Sequence, residues 1–257
     1  MATEETTAER YRAPALDKGL DILELLSNEP IGLTRSEIVR AMGRSQSEIY
    51  RMLERLVARD YVTRLDGDRY ALSMKLFVLA TRYPPINRLI AATVPKMVQF
   101  TRSTLQSCHL AVYNRGDVLI IAQESSPGEW ALTLRVGSRV SLVDTGSGRT
   151  LLAFQTDARR AQMMDEYRVG AADRTVHPGL DASLAQIRAQ GHWRGPSRQT
   201  RGVVDISVPI LGPDGAAIAA LTCPYVIRLD NTAAAGEQGT CQLLLQAADS
   251  VRVEATF

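Results

Sequence analysis

Apolar positions recur at helical spacing in the first part of the chain and at strand spacing further on. Ala15 to Ser27 carries Leu16, Leu20, Leu23 and Leu26, with Ile22 and Leu25 widening the stripe, and predicts an amphipathic helix that stops at Asn28-Glu29-Pro30. Thr34-Arg35-Ser36-Glu37 and Ser45-Gln46-Ser47-Glu48 are capping boxes, in which hydroxyl and carboxylate each satisfy an orphaned backbone N–H, so two helices start here. Gly43 supplies the left-handed residue that ends the first of them, and the second follows a turn of about three residues. Ile49, Leu53, Leu56 and Val57 make one buried stripe on the second helix. Tyr61 to Leu65 and Arg69 to Leu72 flank Asp66-Gly67-Asp68, a strong hairpin signal. Helix, helix-turn-helix and hairpin together describe a winged helix-turn-helix.

Met74 to Arg82 is apolar and helical, and Tyr83-Pro84-Pro85 must break it, because neither proline can donate a helical hydrogen bond. Asn87 to Leu105 is again helical, with Pro95 as a kink or restart. Then the period shortens. Cys108 to Tyr113 and Val118 to Gln123 read as strands across Asn114-Arg115-Gly116-Asp117, and Trp130 to Val136 and Arg139 to Val143 as two more. Asp144-Thr145-Gly146-Ser147-Gly148 reads as a Gly-rich loop opening a helix, able to offer backbone N–H groups to an anion. Helices follow near 157 to 166 and 180 to 190, then a hairpin of Val203 to Leu211 and Ala216 to Thr222, and a closing helix from Gly236 to Val253. The expected fold class is α+β: an N-terminal winged helix-turn-helix (15–73) after a flexible arm (1–14), a linker helix (74–86), and an antiparallel sheet with helices around it (87–257).

With 257 residues the chain can bury two modest cores, and 30 basic against 28 acidic residues leave it nearly neutral. Any nucleic-acid footprint must therefore be local. Residues 34 to 75 carry nine Lys or Arg against six acids. The polar face of the second capped helix presents Gln46, Ser47, Tyr50, Arg51 and Arg55 where a recognition helix meets base edges, and Arg35, Arg44, Ser45, Arg64 and Arg69 lie on the adjoining turn, helix and wing. Double-stranded DNA is the expected partner. Three widely spaced cysteines argue against a disulfide framework and for a reducing, cytoplasmic setting. The first thirteen residues lack the apolar core of a signal peptide, and no apolar run reaches about 18 residues, so no membrane span is expected.

These stretches resemble the IclR (isocitrate lyase regulator) family of bacterial transcription factors from about Ala15 onward. The resemblance rests on ALDKGLDILELL, GLTRSEIVRAMGRSQSEIYRMLERLVARDYV, DGDRYALSMKLFVLA, LRVGSRVSLVDTGSGRTLLAF, IRAQG and GVVDISVPILGPDGAAIAALT. It implies a DNA-binding winged helix joined to a GAF-like effector-binding domain, acting as a homodimer or a tetramer (dimer of dimers) on palindromic operators. The implied effector would lie between the Thr145-Gly146-Ser147-Gly148 loop and the strands carrying Asp205 and Thr222, with Ala220 and Cys223 nearby and Trp130 or Trp193 able to stack on an aromatic ring. The effector class implied is a small organic acid or aromatic catabolite, governing a catabolic or efflux operon. Three positions depart from the family pattern: Gln46-Ser47-Glu48 replaces a frequent Lys-Ser-Thr, Gly148-Arg149-Thr150 a frequent Gly-Lys-Ala, and Asp205 a frequent Cys. An acid at 205 disfavours a carboxylate lying against it.

Catalytic and metal readings are weak. A P-loop would need glycine at Val143 and lysine at Arg149, no G-x-S-x-G elbow or dinucleotide fingerprint occurs, and His109, His177 and His192 have no metal-ligand spacing, so neither cofactor nor metal is expected. Two rivals stay open: an enzyme that uses its winged helix only to dimerise, and a constitutive DNA binder without an effector.

Overall fold

The computed structural model describes residues 13–170, 174–176, 178–227 and 235–251. The expected N-terminal arm (residues 1–12 of it), His177 and the end of the closing helix lie outside them. The chain divides into two compact units that meet between Tyr83 and Pro84.

In the first unit, helix α1 (Pro14–Leu26) is followed by a short strand β1 (Leu33–Thr34), helices α2 (Arg35–Met42) and α3 (Gln46–Ala58), strands β2 (Val62–Leu65) and β3 (Arg69–Leu72), and helix α4 (Lys75–Thr81). Local chemistry sets these boundaries. Thr34 Oγ1 accepts from Glu37 N–H at 3.3 Å while Thr34 N–H donates to the Glu37 carboxylate at 2.7 Å, closing the first capping box. Gly43 sits at φ 59°, and its N–H donates to the Val39 carbonyl. At the head of α3, Glu48 accepts from the Ser45 hydroxyl at 2.7 Å and from Lys18 of α1 at 2.5 Å. The Lys18 bond, more than the Ser45 ones, holds the Glu48 carboxyl down at about 2. The core is Ile22, Leu26, Ile38, Ile49, Leu53, Val62 and Tyr70. The α1 stripe is rotated from its expected position: Gly19, Ile22 and Leu26 are buried, whereas Leu16 and Leu20 are exposed. Hydrophobic spacing alone fixed the helix, and the α2–α3 pair chose which flank of it to cover. The wing forms as expected, with Leu65 opposite Arg69 and Gly67 at φ 70°. Helix α4 has no buried residue, and Phe77 is 61% exposed.

The second unit opens on α5 (Pro84–Thr104), which includes Pro95. Pro84 and Pro85 do interrupt the preceding helix, yet they also begin the next one, because first-turn N–H groups have no intrahelical acceptor to lose. Strands β4 (Cys108–Asn114), β5 (Asp117–Glu124), β6 (Arg139–Ser141), β7 (Trp193–Pro196), β8 (Val203–Leu211) and β9 (Ala217–Val226) pair antiparallel in the order β6-β5-β4-β9-β8-β7. On one sheet face α5 and α9 (Glu237–Asp249) cover Leu110, Ile206, Val208, Leu221 and Cys223. On the other, α6 (Gly146–Ala153), α7 (Asp157–Val169) and α8 (Leu180–Gln190) pack over Ala111, Ile120 and Ala220.

Three expectations are corrected here. Trp130 to Val136 is not a strand, because β6 is the sheet edge and only three residues long, leaving this stretch no ladder to join. Gly146 and Gly148 are not in a loop; they form the first turn of α6, capped by Thr145, whose Oγ1 accepts from Gly148 N–H at 3.1 Å. Strand β9 runs past Thr222 to Val226, and Pro224 is tolerated because it lies beyond the last β4 partner, His109, with only β8 alongside.

Candidate nucleic-acid interface and effector cavity

In the first unit Arg44, Ser45, Gln46, Ser47, Tyr50, Arg51 and Arg55 are all exposed, on α3 and the turn before it. Arg35 is half-buried, with its guanidinium 5.5 Å from the Tyr50 ring centroid. Two wing arginines are engaged within the fold. Arg69 donates to the Gly32 carbonyl at 2.7 Å and to Glu37 at 3.3 Å, tying the wing to the α2 cap. Arg64 pairs with Asp68, which offsets its charge, and lies over the Tyr70 ring. Of the arginines expected at the duplex, those left open are therefore Arg44, Arg51 and Arg55, on α3 and its leading turn.

In the second unit the face of the sheet under α6 carries a polar cavity of about 70 Å3, several times the ~10–15 Å3 that one water needs. Strand alternation builds its floor. His109 on β4, Asp205 on β8 and Thr222 and Pro224 on β9 reach it, while Cys108, Leu110, Ile206 and Cys223 go to the opposite core. Thr145, Gly146 and Ser147 close one side, and Leu132, Thr133, Leu134, Ser197, Gln199 and Thr200 lie at the others. Among the described residues the lining holds one carboxylate, Asp205, and no lysine or arginine.

A buried hydroxyl chain crosses the floor. His109 Nε2 lies 3.1 Å from Ser147 Oγ, Ser147 Oγ lies 2.8 Å from Thr222 Oγ1, and Thr222 Oγ1 donates to Ser207 Oγ at 2.7 Å. With the Thr222 proton committed to Ser207, Ser147 donates to Thr222 and the Nε2–H of His109 donates to Ser147, leaving Nδ1 as an acceptor. Burial pushes the imidazole down to about 4, so it is neutral at neutral pH. Burial also raises the Asp205 carboxyl, against the Ser197 hydroxyl, the Gly146 N–H and Arg149, which all favour its charged form. One first-turn donor of α6 is already taken, Gly148 N–H by Thr145.

Of the expected effector-binding positions, Thr145, Gly146, Ser147, Asp205 and Thr222 come together around the cavity. The others do not line it. Gly148 is pressed against the Leu142 backbone, Ala220 is packed under α6, and Trp130 is 72% exposed. Cys223 lies opposite Ile206 and shares its face; the two-residue period that puts Thr222 in the cavity must turn Cys223 away. His109 and the stretch of 132–134 were missed. A single histidine within the apolar run of β4 was the available signal for the first, and nothing local marked the second.

A winged helix with exposed arginines on its second capped helix, followed by an α+β unit with a cavity, defines a DNA-binding regulator with a ligand-binding domain. The comparisons agree. Residues 86–253 match the bacterial transcriptional regulator IclR C-terminal domain and residues 15–66 the IclR helix-turn-helix domain, so the chain belongs to the IclR family of transcriptional regulators. It is 28% identical over 214 residues to the HTH-type transcriptional regulator KdgR of Escherichia coli, covering 81% of this chain and 80% of that one. It is 26% identical over 211 residues to the Pca regulon regulatory protein of Pseudomonas putida, covering 80% and 72%. An IclR homolog from Microbacterium hydrocarbonoxydans complexed with 4-hydroxybenzoate superposes with a TM-score of 0.74 at 26% identity, over 92% of this chain and 97% of that one. No helix among the described residues is long and apolar enough to cross a membrane.

Proposed function

We propose that this regulator binds operator DNA through α3 and answers to a hydroxylated small metabolite, an aromatic catabolite or hydroxy acid, in the cavity of its second unit. The observation that carries the ligand class is the lining's single carboxylate. Asp205 and the Nδ1 of His109 can accept hydrogen bonds, and with no lysine or arginine among the described lining residues, and Arg149 outside them offsetting the Asp205 charge only in part, a hydroxyl donor is preferred there to a bare carboxylate. Leu132, Leu134, Val140 and Val203 offer a ring its apolar contacts. That the Microbacterium hydrocarbonoxydans homolog was solved with 4-hydroxybenzoate supports a hydroxylated aromatic as the class of ligand. The protein is read as a binder and not a catalyst, a homodimer or dimer of dimers in which a second copy covers the apolar α4. Arg44, Ser45, Gln46, Ser47, Tyr50, Arg51 and Arg55 would meet the duplex, and the effector would shift the population of two DNA-binding arrangements by no more than its differential affinity for them. The genes governed would form a catabolic or efflux operon.

Gel-shift titration against the DNA upstream of the gene tests the first half. Arg51→Ala should weaken operator binding about tenfold or more, the usual cost of one lost arginine contact to a base. Equal affinity for that fragment and for random duplex, unchanged by the substitution, removes the reading. The second half is tested by Asp205→Asn, which should leave operator affinity without effector unchanged while weakening the response to phenolic ligands about tenfold, since a charge-assisted hydrogen bond is replaced by a neutral one. An unaltered response would place the ligand elsewhere.

A further inference from the structure

Between Arg149 of α6 and the start of α8 lies a second recess of about 50 Å3. Its walls are cationic. Arg149 is only 6% exposed, its Nε donates to the Val143 carbonyl at 2.8 Å, and its guanidinium stacks 5.0 Å from the Trp193 ring centroid. Both of its Nη groups lack an acceptor among the described residues. Arg198 forms the facing wall, with its Nη1 3.9 Å from Asp144 Oδ1. The residues on either side of it, Ser197 and Gln199, line the effector cavity, so the chain here alternates between the two spaces. Burial first, and the nearby Arg198 second, push the Arg149 pKa below its ordinary value, while Asp144 and Asp205 oppose this. The two guanidiniums are close enough to repel.

Two more donors converge. Ser183 Oγ lines the recess, is shut off from solvent and has no hydrogen-bond partner. A buried hydroxyl in that state is costly unless something occupies the space before it. The recess also contains Gly179 and Leu180, the start of the eleven-residue helix α8, which no side chain caps; Gly179 is left-handed at φ 84°. Its first-turn N–H groups carry the positive end of the helix dipole. Among the described lining residues none is acidic; Asp181, on the same first turn, is exposed.

We propose that this recess is a second binding site, for a small oxyanion held between Arg149 and Arg198, hydrogen-bonded by Ser183 and backed by the N-terminus of α8. Each feature that is costly in isolation becomes favourable around an anion: the like-charge pair, the unpartnered hydroxyl and the uncapped amides. Its donors suit a phosphate or a single carboxylate group. Its lining differs in charge from that of the effector cavity: the cavity carries the Asp205 carboxylate and the recess two guanidiniums.

The test is titration of the full chain with inorganic phosphate at ionic strength held constant with chloride, read by calorimetry and by the melting temperature. Saturable binding of one phosphate per chain is expected. Arg198→Gln and Ser183→Val, both at positions outside the tightly packed core, should each weaken it at least fivefold, and Arg102→Gln, an exposed arginine on α5, should not change it. A parallel acetate titration distinguishes the sources: tighter binding of phosphate assigns a free phosphate or phosphoryl group, tighter binding of acetate a carboxylate, and either supports the site if both substitutions weaken it. Absence of saturable binding for both anions, or binding indifferent to Arg198→Gln and Ser183→Val, overturns it.

Discussion

Lowering the pH from 7 to 4 is expected to destabilise the sheet-containing unit by about 3 kcal/mol through His109 alone. Its imidazole is fully buried and held near 4, against 6.5 for an unperturbed histidine. Between those values the unfolded chain binds a proton that the folded chain does not, so stability is intact above 6.5 and drains away as the pH falls towards 4. Asp205 acts in the opposite sense: its carboxyl is raised, so acid favours its folded form. The two are separated by His109→Gln, whose amide can still meet Ser147 but cannot be protonated in this range. Denaturant melts at a series of pH values should show the slope between 6.5 and 4 in the parent and most of it gone in the variant. Identical slopes would mean that His109 is not buried neutral. The same proton would occupy Nδ1 and remove it as an acceptor while leaving the Nε2–H bond to Ser147 in place, so effector response should fade over the same interval.

Gly148→Ala should be the most damaging single methyl group that can be added to the second unit. A Cβ there would lie 2.1 Å from the Leu142 carbonyl oxygen and 2.6 Å from its carbon. Backbone cannot rotate aside as a side chain can, and all eight residues of α6 are buried. A loss of about 3 kcal/mol, at the upper end of ordinary overpacking, is expected, with a fall in melting temperature of roughly 10 °C. Gly146→Ala provides the contrast. Its Cβ would meet the Trp193 side chain at 2.7 Å and the Asp205 Cβ at 3.1 Å, and side chains can shift, so stability should fall less while effector affinity falls more. A Gly148→Ala protein within about 1 kcal/mol of the parent would show that α6 can move off the 142 backbone.

These glycines also show where reading the sequence stopped. Gly-rich spacing suggested a turn or an anion loop, and neither residue has a positive φ; they are small because Leu142, Trp193 and Asp205 press against the first turn of the helix. The same limit applies to charge. Arg51 and Arg69 are equivalent as letters, but one is exposed on α3 and the other is spent on Gly32 and Glu37, 37 and 32 residues away. A stricter use of the strand period would have separated Thr222 from Cys223 without any coordinates.

By itself the sequence determined the local elements: two capping boxes, a glycine-ended turn, an Asp-Gly wing and the change from helical to strand period, and with them the winged helix and the α+β unit. Those signals are carried by residues three or four apart, so the chain writes them out directly. Tertiary structure decided which flank of α1 is buried, which arginines stay open, and that His109, Ser147 and Thr222, 38 and 75 residues apart in sequence, form one hydroxyl chain. Such contacts depend on which strands pair and on what packs across them, and no local pattern encodes the partner.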